Sequence, residues 1–137
     1  MDNPPEAIPV LSEAACRSLL ASQYVGRLGY ILHDRPVIVP VNYRVDDTTG
    51  DILVFSRPGK KLEAARHGNS LCFQIDGTDD LRHGGWSVLV SGCAQVIEAP
   101  DARTIAEEQR LRPWPEATAG MALIRLTPES IEGRRLR

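Results

Sequence analysis

The chain has 137 residues, 42% hydrophobic and 25% charged, values that suit one globular domain with a core of its own. A formal net charge of −2 gives no field that would recruit nucleic acid, and three arginines near the end (Arg134, Arg135, Arg137) are weak evidence of a partner. Cys16, Cys72 and Cys93 lie far apart with no CxxC pair, which argues against a disulfide scaffold or a thiolate zinc site.

Residues 1–10, MDNPPEAIPV, hold three prolines and read as an extended arm before a single domain. They lack a cationic segment followed by an apolar core, so no signal peptide is expected. No apolar run approaches the ~20 residues of a membrane span, and the expected location is the cytoplasm. Ser12 can cap a helix running to about Ser22, with Ala15, Leu19 and Leu20 facing inward. Val25 to His33 is strand-like, and Asp34-Arg35-Pro36 offers a tight connection to a second strand. There Val37, Val39, Val41, Tyr43 and Val45 share one face, while Ile38, Pro40, Asn42 and Arg44 share the other. Residues 46–50 form a turn that returns the chain into Ile52–Ser56, which predicts a three-stranded antiparallel meander. Pro40 cannot donate to a ladder, so it marks an edge, a bulge or an interruption that frees backbone around Val39–Asn42.

Ile52 to Gly68, ILVFSRPGKKLEAARHG, carries the most chemistry. An apolar strand is followed at once by Ser56, Arg57, Pro58, Gly59, Lys60 and Lys61, and then by an amphipathic helix ending near His67 with Gly68 as its stop. A hydroxyl, free amides and cations converging at a helix start suit a phosphate. The same cluster also describes an exposed loop whose lysines face water.

Leu71–Ile75 is another short strand, and Asp76–Gly85 reads as an exposed loop. Trp86–Ile97 is the longest strand candidate, with Gly92 and Ala94 permitting a bend or a close backbone approach. Cys72 and Cys93 fall within strand-like runs and are expected to be buried small hydrophobes. A helix over Asp101–Leu111, broken by the PWPE segment, precedes a last strand over Met121–Leu126. Six or so short strands with few helices favour a closed or nearly closed antiparallel barrel. Neither GxGxxG nor GxxxxGK[ST] is present, and no GxSxG elbow supports a serine hydrolase. His33, His67 and His83 have no ligand-like spacing and are expected at the surface. Trp86 and Trp114 suit core or interface anchors, and Trp114, between two prolines, is a candidate cover over a neighbouring subunit's site.

Taken in order, VGRLGY (25–30), RPVIVPVNY (35–43), ILVFSRPGKKLEAARHG (52–68), LCFQID (71–76) and WSVLVSGCAQVI (86–97) resemble the pyridoxamine 5'-phosphate oxidase-like family of FMN-binding split β-barrels. The likeness is strongest to its small subgroup that includes nitroimidazole-resistance-type proteins. That resemblance implies a mainly β split barrel and a homodimer with two FMN sites at the interface, each built from both chains. It places Ser56 and Lys61 on the cofactor phosphate, with Arg57 and Lys60 as helpers and Phe55 beside them. Val39, Pro40, Val41 and Asn42 would run along the isoalloxazine ring, and Trp86 and Ser87 would approach it from one of the two subunits. The implied function is an NAD(P)H-dependent oxidoreductase that passes electrons to a small acceptor. Alternatives are a deazaflavin-dependent relative and a non-catalytic flavin- or haem-binding stress protein. The chain lacks the length and the further basic cluster of true pyridoxamine phosphate oxidases, which speaks against vitamin B6 oxidation.

Overall fold

The computed structural model describes residues 10–68, 70–79, 81, 83–110 and 121–136. In chain order the elements are β1 (Val10–Leu11), α1 (Glu13–Ser22), β2 (Val25–Leu32), β3 (Arg35–Asn42), β4 (Arg44–Val45) and β5 (Ile52–Ser56). They continue with α2 (Lys60–Arg66), β6 (Ser70–Asp79), β7 (Gly84–Ile97), α3 (Asp101–Glu108) and β8 (Ala122–Leu136). Strands make up more than half of the described residues, so the class is mainly β, as the short apolar runs predict.

All eight strands belong to one antiparallel, curled sheet in the order β3-β2-β6-β7-β8-β5-β4. The far side of β8 is shared: β5 pairs with its first residues and β1 with Gly133 and Arg134. Alternation along the strands puts Leu28, Tyr30, Val41, Ile52, Val54, Phe73, Ile75, Val88 and Val90 into one core. Cys16 and Leu20 of α1 and Leu62, Ala64 and Ala65 of α2 join that core. Tyr43 and Phe73 meet edge to face at its centre, with ring centroids 4.6 Å apart. A second, smaller cluster forms where Leu53 and Leu123, on the opposite face of β5 and β8, are covered by Ala102 and Ala106 of α3.

Local signals place the helices as expected. The Ser12 hydroxyl accepts the Ala15 amide at 3.1 Å and starts α1. Gly68, at φ +68°, follows the end of α2 in the left-handed region that a side chain would strain. The β2–β3 hairpin turns one residue earlier than predicted, on His33 and Asp34, whose φ values of 51° and 59° suit a two-residue hairpin turn.

Three expectations need correction. The meander forms only in part, because the second predicted strand is split at Tyr43: β3 pairs with β2, and its continuation β4 pairs with β5 across the 46–50 turn, while β5 also takes β8 on its other side. The chain bends at Tyr43, whose amide bonds the Tyr24 carbonyl and whose hydroxyl donates to the Leu20 carbonyl, and this ends β3 before the turn. The Asp76–Gly85 loop is mostly ladder, with Asp76 to Asp79 paired to Ser87 back to Gly84. A Cβ on Gly77 would fall 2.6 Å from the Trp86 indole nitrogen, so the glycine makes room for that ring rather than marking a loop. The last strand runs on from Leu126 to Leu136 despite Pro128. A bulge opposite Ser91 and Gly92 absorbs the extra residue, Glu129, and lets the ladder continue.

Gly92 is the glycine on which that bulge depends. A Cβ there would press into the Thr127 carbonyl, with its carbon at 2.9 Å, and backbone cannot yield cheaply. Gly92→Val is expected to cost about 1–3 kcal/mol, read as a lower urea midpoint at unchanged slope. The cysteines also depart from expectation: Cys16 is the buried one, Cys72 is half-buried, and Cys93 is exposed with its thiol donating to Glu129 Oε1 at 2.8 Å. That carboxylate pushes the Cys93 thiol above its ordinary pKa. No helix among the described residues is long and apolar enough to cross a membrane.

Candidate functional site

β5 carries Ser56 to the end of the sheet on the same face as Ile52 and Val54, and only 1% of it is exposed. Its hydroxyl donates to the Arg57 carbonyl at 2.7 Å, closing the start of a turn. Arg57, Pro58 and Gly59 are exposed, and α2 begins at Lys60. Gly59 is extended, and a Cβ built on it would meet nothing within 4 Å, so the space above the turn is open.

The turn and the start of α2 carry three cations. Arg57 and Lys60 are exposed and Lys61 is half-buried. Burial, and then the Arg57 guanidinium, hold the Lys61 ammonium below its ordinary pKa. No described carboxylate lies within ion-pair distance of any of the three. Glu63, the acid of the first turn, lies 3.7 Å from His33 instead, and Arg66 takes Glu98 at 2.8 Å. Like charges are thus gathered with no described carboxylate paired to them, which is the electrostatic condition for binding an anion.

On β3, Val41 is buried and Val39 packs against the core, while Pro40 and Asn42 are exposed. Pro40 pairs with Arg27 and the ladder runs unbroken across it, so the edge-strand explanation holds and the interruption does not. β3 also approaches β5, which brings the Val39–Asn42 strand and the strand ending in Ser56 to one seam of the barrel. Phe55 does not join them. Its side chain packs in the second cluster, against the α3 side of the sheet.

Trp86 and Ser87 stand apart. Both are half-buried at the start of β7, where they pair with Arg135 and Arg134 near the end of β8. Ser56 pairs with Ala122 at the other end of the same strand. The two groups are therefore separated by most of β8, roughly 40 Å measured along the strand at ~3.3 Å per residue.

Among the described residues there is no group of three or more His, Cys, Asp or Glu able to hold a metal, and His33, His67 and His83 are all exposed. Trp114 and the PWPE segment lie outside the described residues. A cavity of about 410 Å³ lies away from the turn, between the ends of α1 and α3 and the short strand β4. Three separate elements assemble it, so no local motif in the sequence announces it.

The family model for pyridoxamine 5'-phosphate oxidase matches residues 12–135. The chain belongs to this family. The FAD binding protein of Mycobacterium smegmatis is 31% identical, with a TM-score of 0.76 over 94% of this chain and 98% of that one. A FAD-binding protein of Mesorhizobium loti is 27% identical, with a TM-score of 0.74 over 95% and 99% of the two chains. A protein of Mycobacterium tuberculosis without an assigned function is 32% identical over 86% of this chain and 78% of its own length. A candidate 5-nitroimidazole antibiotic resistance protein of Bacteroides thetaiotaomicron, 14% identical, shares the fold with a TM-score of 0.72 over 94% and 87%. Within the pyridoxamine 5'-phosphate oxidase family, then, the chain has the split-barrel fold of its flavin-binding neighbours. Its motif order in residues 25–97 carried that assignment correctly.

Proposed function

We propose that this protein binds a flavin nucleotide as a homodimer and serves as an NAD(P)H-dependent oxidoreductase for a small acceptor in the cytoplasm. The observation that carries the proposal is the open turn at Ser56–Lys61, which carries three cations without described carboxylate partners. An anionic phosphate supplies what that turn lacks. Lys61 and Arg57 gain a counter-charge, and the amides beside Gly59 are free to donate. Ser56 and Lys61 hold the phosphate with help from Arg57 and Lys60, and the Val39–Asn42 strand lies against the ring.

The distance along β8 supports a two-chain site. In that site a second subunit would present Trp86 and Ser87 to the ring of a flavin whose phosphate is held at Ser56–Lys61. A bound flavin supplies two-electron redox chemistry, and the protein's part is to hold the phosphate, position the ring and limit water around it. Phe55, facing α3, supports β5 from behind rather than touching the cofactor.

FMN is the ligand proposed, and the FAD-binding relatives make FAD its competitor. The two differ in a way the turn can report. The dianion of a phosphate monoester takes up a proton near pH ~6, whereas the diphosphate of FAD has no such step. Purified protein mixed with each flavin and desalted is expected to retain a flavin spectrum. FMN affinity is expected to fall as pH drops through about 6, with FAD affinity flat over the same range. Retention of neither flavin overturns the proposal, and tighter, pH-independent binding of FAD reassigns the cofactor. Failure of the loaded protein to oxidise NADH or NADPH with any acceptor removes the oxidoreductase claim. Monomeric sedimentation at saturating flavin removes the two-chain site.

A further inference from the structure

The cavity between α1, β4 and α3 holds an arrangement of charge that the flavin reading does not use. Its walls carry Arg44 and Asp47 from the β4 segment, and Glu108 and Arg110 from the end of α3, with Gln23 and Gln109 beside them. None of the four charged groups lies within ion-pair distance of another described charge. The neighbouring carboxylates behave differently. Asp46 and Asp51 both meet Arg125, at 3.1 and 2.9 Å, so this part of the fold does neutralise charges where it is built to.

Two features hold the cationic side in place. The Arg44 guanidinium sits over the Tyr24 ring, 5.1 Å from its centroid, and that stacking limits the freedom it would lose on meeting an anion. Arg110 lies in the left-handed region at φ 55°, with its amide bonded to the Glu107 carbonyl at 3.1 Å, which fixes its backbone at the end of α3. The anionic side is reinforced by the helices. α1 and α3 both end here, and neither has a basic residue in its last turn, so their negative dipole ends are not offset from within.

We propose that this cavity is a second ligand site, for a small zwitterion carrying one carboxylate and one ammonium group, of the free amino-acid type. A simple anion would meet Arg44 and Arg110 but also Asp47, Glu108 and the helix ends. A simple cation would meet the reverse. A molecule with both charges matches both sets, and 410 Å³ falls within the range of small-molecule pockets. Because Asp47, Glu108 and Arg110 are exposed, solvent weakens each contact, and the ligand is held by the pair of charges rather than by either alone.

The proposal does not depend on flavin binding. It is tested by amide NMR titration of the full chain with the twenty free amino acids, using acetate and methylammonium as single-charge controls. At least one amino acid is expected to give saturable shifts centred on Arg44, Gln109 and Arg110, with and without flavin. Arg44→Gln and Glu108→Gln, each checked for a native-like spectrum, are expected to weaken that binding at least tenfold. Three outcomes overturn the proposal: no saturable shift with any amino acid, equal shifts with acetate or methylammonium, or unchanged binding in both variants.

Discussion

Replacing Arg125 by alanine is expected to destabilise the protein by about 3–5 kcal/mol, because it strands two buried carboxylates. Arg125 rises from near the start of β8, where its neighbours Ile124 and Leu126 point into the core. Its Nη1 reaches Asp51 Oδ2 at 2.9 Å, Asp46 Oδ2 at 3.1 Å and Thr49 Oγ1 at 3.2 Å. Asp46 and Asp51 are each 8% exposed, so little water reaches them and the guanidinium is their main counter-charge. The rest of the turn is knit around the same groups. Asp46 Oδ1 accepts the Thr48 and Thr49 amides, and the Asp46 amide bonds the Asp51 carbonyl at 2.8 Å.

The pH dependence follows from Asp46. The Thr48 amide, then the Thr49 amide and Arg125, hold its carboxyl below the ordinary value, with burial opposing them. A carboxyl depressed in the folded state contributes stability that is full above its unfolded pKa, near ~3.9, and is lost as pH falls through the folded value. The penalty of Arg125→Ala is therefore expected to be largest near neutral pH and to shrink toward pH ~3 as Asp46 protonates. Urea midpoints of both proteins across that range check it. A penalty that stays constant with pH would mean that the lost packing of the arginine stem, not the stranded charge, carries the effect. Asp46→Asn with Asp51→Asn added to Arg125→Met is expected to recover most of the loss, since no unpaired charge remains.

That cluster also shows where sequence reasoning stops. An arginine inside ALIRL is a visible anomaly in an apolar strand, and the two aspartates of residues 46–51 are visible turn residues. Nothing local says that they meet, because the pairing of β5 with β8 spans about half the chain. The same limit explains why the meander is only partly right. β2, β3, β5 and both early helices rest on alternation, a cap and a glycine stop, all of them local. The break at Tyr43 and the placement of β8 on the other side of β5 depend on contacts from distant parts of the chain. Pro128 and the glycines at 77, 84 and 85 look like breakers because breaker rules assume an ordinary ladder. Here a bulge accommodates the proline, and the Trp86 ring uses the space over Gly77.

The turn at Ser56–Lys61 was legible because its parts are consecutive, and the structure adds the missing half of the argument, the absence of described acid partners. The position of Phe55 was not legible as a ligand contact or otherwise. Adjacent residues of a strand face opposite sides, and α3, which covers the Phe55 side, arrives from far along the chain.

Lys61→Met combined with Ser56→Ala is expected to weaken FMN binding by about 100-fold or more, as charge-assisted contacts of ~1.5–3 kcal/mol each are lost at one phosphate. Lys61→Met alone is expected to leave the flavin-free protein no less stable at neutral pH, although it abolishes a charged group. The Lys61 ammonium is held below its ordinary pKa of 10.5 by burial and then by Arg57, so the folded state disfavours its charge. Between the lowered value and 10.5 the unfolded chain binds more protons than the folded one, and wild-type stability rises with pH across that window. Methionine keeps the buried stem without the charge. The stability advantage of Lys61→Met should thus be present at neutral pH and fade as the lysine deprotonates in the wild type. Flavin titrations and urea midpoints on the same two proteins separate the outcomes. Weaker FMN with equal or greater stability marks Lys61 as a residue kept for its ligand. Unchanged FMN affinity moves the phosphate away from this turn, and a large loss of stability makes Lys61 a structural residue instead.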